Sequence, residues 1–497
     1  MSVKNKTYSK KRLTIDEFSF GISPDKNEFL LKENKAKVCF NLKAVDGALT
    51  EGNGVCELVL PVSQSSTSCT RKLNYQNSYS LKKVWRYKYY SDVNQRYDYV
   101  LIGFGSDNKI HFTNMFGYSG SLHELSEFVF NEEPTAISFR VNGKDVISFS
   151  SPKDSLLVWF CDEQPYTVDN LPKFKSICLH NERLFAIDSE KNYLVRYSSN
   201  LNPLDWTSNV TSTSGGSIEL NDFKGQLKNL VSFQDNVFVF RDFGISKISS
   251  YSANSLYSAT NIFSSSSKIF CNTACICGEA IYFLAEDGLY KLDGYTVERV
   301  EDSFSHLFVN KNQDKANTCF FDGKLYIACS LNFFDDEVIG CENDNFENNS
   351  LIEFDIVTKE YNITRGIDVV SMLAVKDLCI SKMFLCLNNN LGFKFWELTK
   401  NGKVEEVVLK KKWQGGKINF GTFDKTKILK EIYLICKNDC FIELETENCK
   451  KTYFVKGKEE IQRVRINCKG KYFKTSFVSE KENVFISNPQ FIFNVED

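Results

Sequence analysis

Apolar and polar residues alternate along this chain in short runs bounded by turn residues, and the unit recurs eight times. The clearest copies are Gly278–Gly294, Gln234–Ile248, and His180–Ile187 continuing through Asn192–Tyr197. Each reads as a β-hairpin. Period-2 alternation puts one face of a strand on a core, and Asp-Gly, Phe-Gly or Asn-rich turns supply the backbone angles that a tight reversal needs. The turn positions so marked are Asp235, Gly244, Asp287, Gly288, Asp322 and Gly323, all assigned a structural role.

Aligned on the first central residue of each apolar run, the copies have anchors at Leu101, Ile147, Phe185, Phe238, Tyr282, Tyr326, Phe384 and Tyr433. The spacings are 46, 38, 53, 44, 44, 58 and 49 residues. A period of roughly 40 to 50 residues with several short strands per unit is that of a β-propeller, whose blades cannot bury both faces alone. The fold class expected is therefore all-β, a propeller of about six to eight blades. The weakest copy is the last, which fits a separate domain.

Three zones follow. Residues 1–80 carry no copy of the repeat and read as an extended N-terminal arm and assembly segment. Residues 81–414 hold the propeller. Residues 415–497 read as a small antiparallel β-domain, from the alternating runs Glu431–Cys436, Phe441–Leu444, Arg463–Asn467 and Tyr472–Phe477. Helical windows are few, with Asn27–Phe40 and a turn around Asp302–Val309 as the best. Apolar pairs in the arm, Phe18 with Phe20 and Leu30 with Leu31, have no repeat of their own to bury them, which predicts packing on a neighbouring subunit or on the chain's own flank.

Composition supports strands over helices: aromatics are 14% of 497 residues, with Phe at 42 copies against four Met. Net charge is −2 and the pI near 6.2, which excludes whole-protein attraction to nucleic acid or to an anionic membrane. No apolar run approaches the roughly 20 residues of a membrane span. The basic opening leads into Leu13-Thr-Ile-Asp-Glu17 where a leader would need an apolar stretch, so a cytoplasmic protein is expected. Most of the 17 cysteines sit inside apolar strand patterns and read as reduced, buried small hydrophobes. Cys275 with Cys277, and Cys436 with Cys440, lack the second half of a zinc site.

Catalytic constellations are not recognisable. The four histidines, His111, His123, His180 and His306, have no acid or thiol at a motif spacing, and Gly103-Phe-Gly105 lacks the third glycine and the strand-to-helix setting of a dinucleotide loop. No cofactor is called for and a non-enzyme is expected. The acidic insert at 332–349, with Asp335, Asp336, Glu337, Glu342 and Asp344, lacks the residue order of a calcium loop and reads as solvated. Lys410, Lys411 and Lys412 beside Trp413 are candidate contacts to phosphate and base, against the plainer reading of a solvated strand end.

Phe18-Ser-Phe-Gly-Ile-Ser-Pro-Asp25, followed by Asn34, Ala36, Asn41, Asp46-Gly-Ala-Leu49, Gly52 and Gly54, resembles the opening of tailed-bacteriophage virion proteins of the tail-hub or nozzle type. Tyr197–Trp206, Phe240–Ile245 and Leu284–Tyr290 are similar to segments of the propellers in such proteins, and Arg463–Phe473 to their terminal β-domains. The resemblance implies a non-enzymatic structural subunit of a ring, commonly a hexamer, at the head–tail junction or tail end. Its partners would be other copies of itself, neighbouring tail or connector proteins, and passing DNA at Lys410, Lys411 and Lys412. Its place would be the virion, after assembly in the host cytoplasm. The alternative class is a carbohydrate- or host-surface-binding propeller, which requires polar residues converging from several blades.

Overall fold

The computed structural model describes residues 8–23, 27–63, 66–117, 121–160, 162–208, 213–250, 257–309, 313–333, 342, 345–377, 379–388 and 391–496. Among them the chain is all-β, and helix is confined to two single-turn 3-10 segments, Ser305–Leu307 and Gln313–Lys315. The window from residue 27 to 40 is a turn followed by the strand Ala36–Phe40; of that stretch only Ala36 and Phe40 are fully buried, with Val38 and Cys39 partly so.

Seven sheets follow one another along residues 74–399. The second to sixth are each four antiparallel strands in chain order, for example Ile269–Cys277, Ala280–Ala285, Gly288–Leu292 and Val297–Glu301 in the fifth. The anchors Leu101, Ile147, Phe185, Phe238, Tyr282, Tyr326 and Phe384 all lie on the second strand of their sheet. These strands are buried on both faces, not on one, as Ala280–Ala285 shows at every position. That explains why they read as nearly unbroken apolar runs while a fourth strand such as Gly216–Glu219 stays polar and half exposed.

Each sheet shares a core with the next. Ile102 and Phe104 of the first meet Phe149 and Leu157 of the second, and Phe238 and Phe240 of the fourth meet Ile281 and Phe283 of the fifth. The seventh sheet packs on the first through Val375 and Phe384 against Leu81 and Leu101. First strands are neighbours in the same order, Thr135–Val141 beside Phe174–His180, then Leu227–Phe233, Ile269–Cys277, Asn317–Phe321 and Val369–Asp377, which in turn lies beside Asn74–Ser91.

Strand exchange marks the seam. The seventh sheet runs Val369–Asp377, Ile380–Leu387, Trp396–Thr399 and then Gly54–Glu57, a strand taken from near the N-terminus. The first sheet, conversely, adds Leu391–Lys394 alongside Asn74–Ser91.

Val59–Ser63 and Ser66–Lys72 form a separate hairpin, Lys403–Val404 and Val407–Val408 extend the seventh sheet, and the other strands form a second body from both ends of the chain. One sheet orders Leu42–Val45, Ala48–Glu51, Phe485–Glu496, Lys427–Cys436 and Lys458–Gly470, with Tyr8–Thr14 also paired to Phe485–Glu496. The other orders Ala36–Phe40, Lys411–Ile418, Phe473–Ser479, Cys440–Glu445 and Lys450–Val455. Ile432, Leu434, Ile442, Leu444 and Phe477 join in the core between them, and the eighth anchor, Tyr433, lies here. Strand pairing therefore changes partner between Glu51 and Gly54 and before Lys411, not at residues 80 and 414. Residues 8–51 are no free arm: Phe18 is buried edge-on to Trp413 and Phe477, with ring centroids 5.0 and 6.1 Å apart, although Phe20 and Leu30 remain exposed.

Candidate functional site

Polar residues on or beside the strands of six sheets converge. A cavity of about 430 Å³ is lined by Lys83 of the first sheet, Thr135 of the second, Asn229 of the fourth, Asn272 of the fifth, Asn317 of the sixth and Asn388 of the seventh, with Glu133, Asp314, Lys315 and Glu347 from the connecting loops.

Most of these side chains reach across to the next sheet. Ser176 of the third sheet donates to Asn229 Oδ1 at 3.0 Å, and Asn229 Nδ2 donates to the Cys271 carbonyl at 3.0 Å. Asn272 Nδ2 donates to the Asp314 carbonyl at 2.7 Å, and Asn317 Nδ2 to the Val369 and Val370 carbonyls at 3.3 and 3.2 Å. The Val84 amide donates to Ser371 Oγ at 3.3 Å, which ties the seventh sheet to the first. Asparagine suits this place because one amide bonds two strands at once while remaining neutral.

Charge at the mouth is mixed. Lys83 pairs with Glu133 at 2.9 Å and Lys315 with Glu347 at 3.8 Å. Burial, and then the adjacent Lys228 ammonium, push Lys175 below the ordinary lysine range, against the pull of Asp242 and Asp314. The buried carboxamide oxygens of Asn317 and Asn348 have no protein partner here. Such an arrangement offers hydrogen bonds of both senses with little net charge, which suits a polar, uncharged ligand or ordered water.

At the opposite ends of the first strands lies a cavity of about 720 Å³, shared by Tyr87 and Lys88 of the first sheet, Phe139, Arg140 and Asp145 of the second, and Leu179 and Glu182 of the third. Arg140 and Asp145 are paired there at 2.9 Å.

The residues marked in the sequence fall elsewhere. Asp322 and Gly323 form the two-residue loop between Phe321 and Lys324 with φ of +50° and +76°, the angles of a type I′ turn. Asp287 accepts from the Tyr290 hydroxyl at 2.7 Å, and Gly288 opens the following strand at φ +147°. Asp235 shares a two-residue loop with Gln234, which carries the positive φ, and Gly244 pairs with Arg241 across another.

Lys411 corrects the expectation of a DNA contact. Its side chain is wholly buried, paired with Glu51 at 2.9 Å and donating to the Leu409 and Lys481 carbonyls at 3.1 and 2.8 Å. It holds the second body together. Lys410 and Lys412 flank it on the same segment, half-buried, and none of the three lines either cavity. The carbonyl of Lys410 accepts from Asn41 Nδ2 at 2.7 Å, and Trp413 is buried.

His180 is held by Ser232 Oγ at 2.9 Å on Nδ1, and burial lowers its affinity for a proton. Of the acidic insert, Asp335, Asp336, Glu337 and Asp344 lie outside the described residues, and Glu342 accepts from Arg365 Nε at 3.1 Å. Fifteen cysteines among the described residues are free thiols. No group of three or more metal-ligating side chains occurs among the described residues, and no described helix is long and apolar enough to cross a membrane.

The converging asparagines were missed in the sequence because Asn229, Asn272 and Asn317 sit one at a time, about 45 residues apart, in the first strands of three sheets. Counted back from the anchors, Asn229 and Asn317 each stand nine residues before Phe238 and Tyr326, whereas Asn272 stands ten before Tyr282, in a strand whose register shifts between Phe270 and Cys275.

Comparison with known protein families and with curated proteins finds no match. Among solved structures the chain is similar to the extracellular domain of the putative one-component system BT4673 from B. thetaiotaomicron, at 12% identity and a TM-score of 0.40. The match covers 79% of this chain and 47% of that one, so the chain spans about half the length of the protein it matches.

Proposed function

We propose that the seven sheets are the blades of a β-propeller and that the chain is a non-enzymatic structural subunit of a bacteriophage tail ring, hub- or nozzle-like, assembled in the host cytoplasm and forming part of the DNA passage. The order of first strands, returning from Val369–Asp377 to Asn74–Ser91, supports the propeller. The resemblance of the N-terminal and repeat motifs supports the tail ring.

One observation carries the assembly role. The seven sheets bury their faces on one another, whereas the second body leaves the 13-residue strand Lys458–Gly470 as an outer edge, mostly exposed, with Ile461 at 71% and the nearby edge residue Phe454 at 56% exposure. Open edges with exposed apolar residues are where chains add to one another. A ring closes when such a surface meets a different surface on the next copy. Light scattering and negative-stain microscopy of the full chain test this, alone and with a tail or connector partner. Rings with a central hole are expected, and Ile461→Lys with Phe454→Lys should reduce them to monomers without loss of folding. Rings unaffected by both changes would exclude this edge, and a monomer under all conditions would exclude the ring.

The alternative, a carbohydrate- or host-surface-binding propeller, is favoured by the polar cavity where residues of six sheets meet. A glycan-array signal abolished by Asn272→Leu would support it.

A further inference from the structure

Two pairs of thiols cross between the two sheets of the second body. Cys436, ending Lys427–Cys436, and Cys440, opening Cys440–Glu445, have sulfurs 3.2 Å apart and are sealed from solvent. Cys449 lies just before Lys450–Val455 in one sheet, and Cys468 on Lys458–Gly470 in the other, with sulfurs 3.8 Å apart. The pairs differ in access. Cys468 points into the shared core, but Cys449 is partly exposed in a tight loop held by the Thr446 amide donating to the Cys449 carbonyl at 2.8 Å and the Cys449 amide donating to Thr446 Oγ1 at 3.2 Å.

We propose that Cys449 and Cys468 form a thiol–disulfide exchange site that takes a small organic disulfide, such as oxidised glutathione, and closes into a disulfide joining the two sheets. The chemistry needs an accessible nucleophilic thiolate and a resolving thiol within reach. Cys449 supplies the first, with the Thr446 hydroxyl 3.5 Å from its sulfur. That contact, with help from Cys468 and Lys451, lowers its proton affinity against the effect of burial. Cys468 supplies the second, its thiol raised to about 11, chiefly by burial, so it stays protonated and unreactive until its neighbour is modified.

In the first step Cys449 thiolate attacks one sulfur of the glutathione disulfide, that S–S bond breaks, and one glutathione leaves as thiolate. In the second, Cys468 attacks the Cys449 sulfur while its proton passes to the departing glutathione sulfur, so that the second glutathione leaves as thiol. Two protein thiols and one small disulfide thus become one protein disulfide and two glutathione thiols. The sulfurs must close from 3.8 Å to about 2.0 Å, a movement that the loop carrying Cys449 is placed to make.

The test uses the full native chain in glutathione buffers of stepped oxidised-to-reduced ratio, with acid quenching, alkylation and peptide mapping by mass spectrometry. The expected result is a Cys449–Cys468 cross-link formed while the protein is folded, accompanied by a higher denaturant midpoint. In Cys468→Ala a glutathione adduct should remain on Cys449, and in Cys449→Ser none should form on Cys468. Because Cys468 is buried, circular dichroism must confirm that its variant folds; the wild-type map stands without it. Absence of the cross-link in folded protein overturns the proposal. So does oxidation of Cys436–Cys440 in its place, because that pair is closer in distance but closed to the oxidant.

Discussion

Glu353, buried on the third strand of the sixth sheet, should fix the second body to the sheets, and replacing it by Gln should cost several kcal/mol. Its carboxylate accepts from Lys43 at 2.9 Å, from Asn53 at 2.6 Å and from Lys324, so one residue of the sixth sheet holds two residues of the N-terminal segment. Burial alone would raise the Glu353 carboxyl, but the Lys43 ammonium and the hydrogen bonds of Lys324, Asn53 and Lys43 outweigh it and hold the group at about 2. Against an ordinary value of 4.5, that depression is worth roughly 3 kcal/mol at neutral pH, taking about 1.4 kcal/mol per tenfold change in proton affinity. Since the folded value is the lower one, the contribution is present above about 4.5 and is lost as the pH falls towards about 2. Glu353→Gln keeps the shape but leaves the Lys43 ammonium buried without its counter-charge; burial already lowers Lys43, and Glu353 only partly offsets that. Breaking a buried pair in this way costs roughly 3 to 5 kcal/mol, whereas removing both charges comes near to neutral. Urea unfolding of wild type, Glu353→Gln and the Lys43→Met, Glu353→Met double variant, at pH 7 and at pH steps below about 4.5, measures each part. The single variant should lose stability at pH 7 and flatten the acid limb, and the double variant should recover most of the loss. A single variant as stable as wild type at pH 7, with an unchanged acid limb, would refute the reasoning.

Gly288→Val should destabilise more than Gly323→Val in thermal unfolding, because a Cβ at Gly288 would stand 2.5 Å from the Glu301 carbonyl whereas at Gly323 it meets nothing within 4 Å and the cost, about 1 kcal/mol, is that of φ alone. Lys411→Met should change unfolding stability and leave DNA retention in a gel-shift assay unaltered; the reverse outcome would restore Lys411 as a DNA contact. Phe18→Ala should cost roughly 3 to 5 kcal/mol, the loss of a buried ring from a packed core, and no loss would mean that residues 8–51 detach in solution.

Strand content and the hairpin unit were legible because second strands, buried on both faces, concentrate Phe, Ile, Leu and Val between turn residues whose φ demands Asn, Asp or Gly. Seven anchors mark seven sheets for that reason. Pairing over long distances was not legible. Nothing in Gly54-Val-Cys-Glu57 says that its partner is Trp396–Thr399, since a four-residue strand carries too few side chains to specify a neighbour some 340 residues away. The fate of the lysines was equally hidden: Lys410, Lys411 and Lys412 look alike in sequence, and only Glu51, brought by another segment, makes the middle one a buried cation.

The reciprocal strand exchange at the seam also changes what a truncation can reveal. Deleting residues 1–60, the natural way to ask whether an N-terminal arm mediates assembly, removes Gly54–Glu57 from the seventh sheet and Ala36–Phe40, Leu42–Val45 and Ala48–Glu51 from the second body. Trp396–Thr399 would then expose an edge, and Lys411 would lose Glu51. Loss of assembly after such a deletion would therefore report unfolding of two cores. The contact surface is better sought by single substitutions on Lys458–Gly470, whose outer side no strand among the described residues covers. A strand supplied from some 340 residues away makes the seam a later contact in folding than the hairpins of the sheets, because closing so long a loop costs more entropy than closing a short one. Because Gly54–Glu57 follows directly on Ala48–Glu51, it also links the seventh sheet to the second body through two residues of chain.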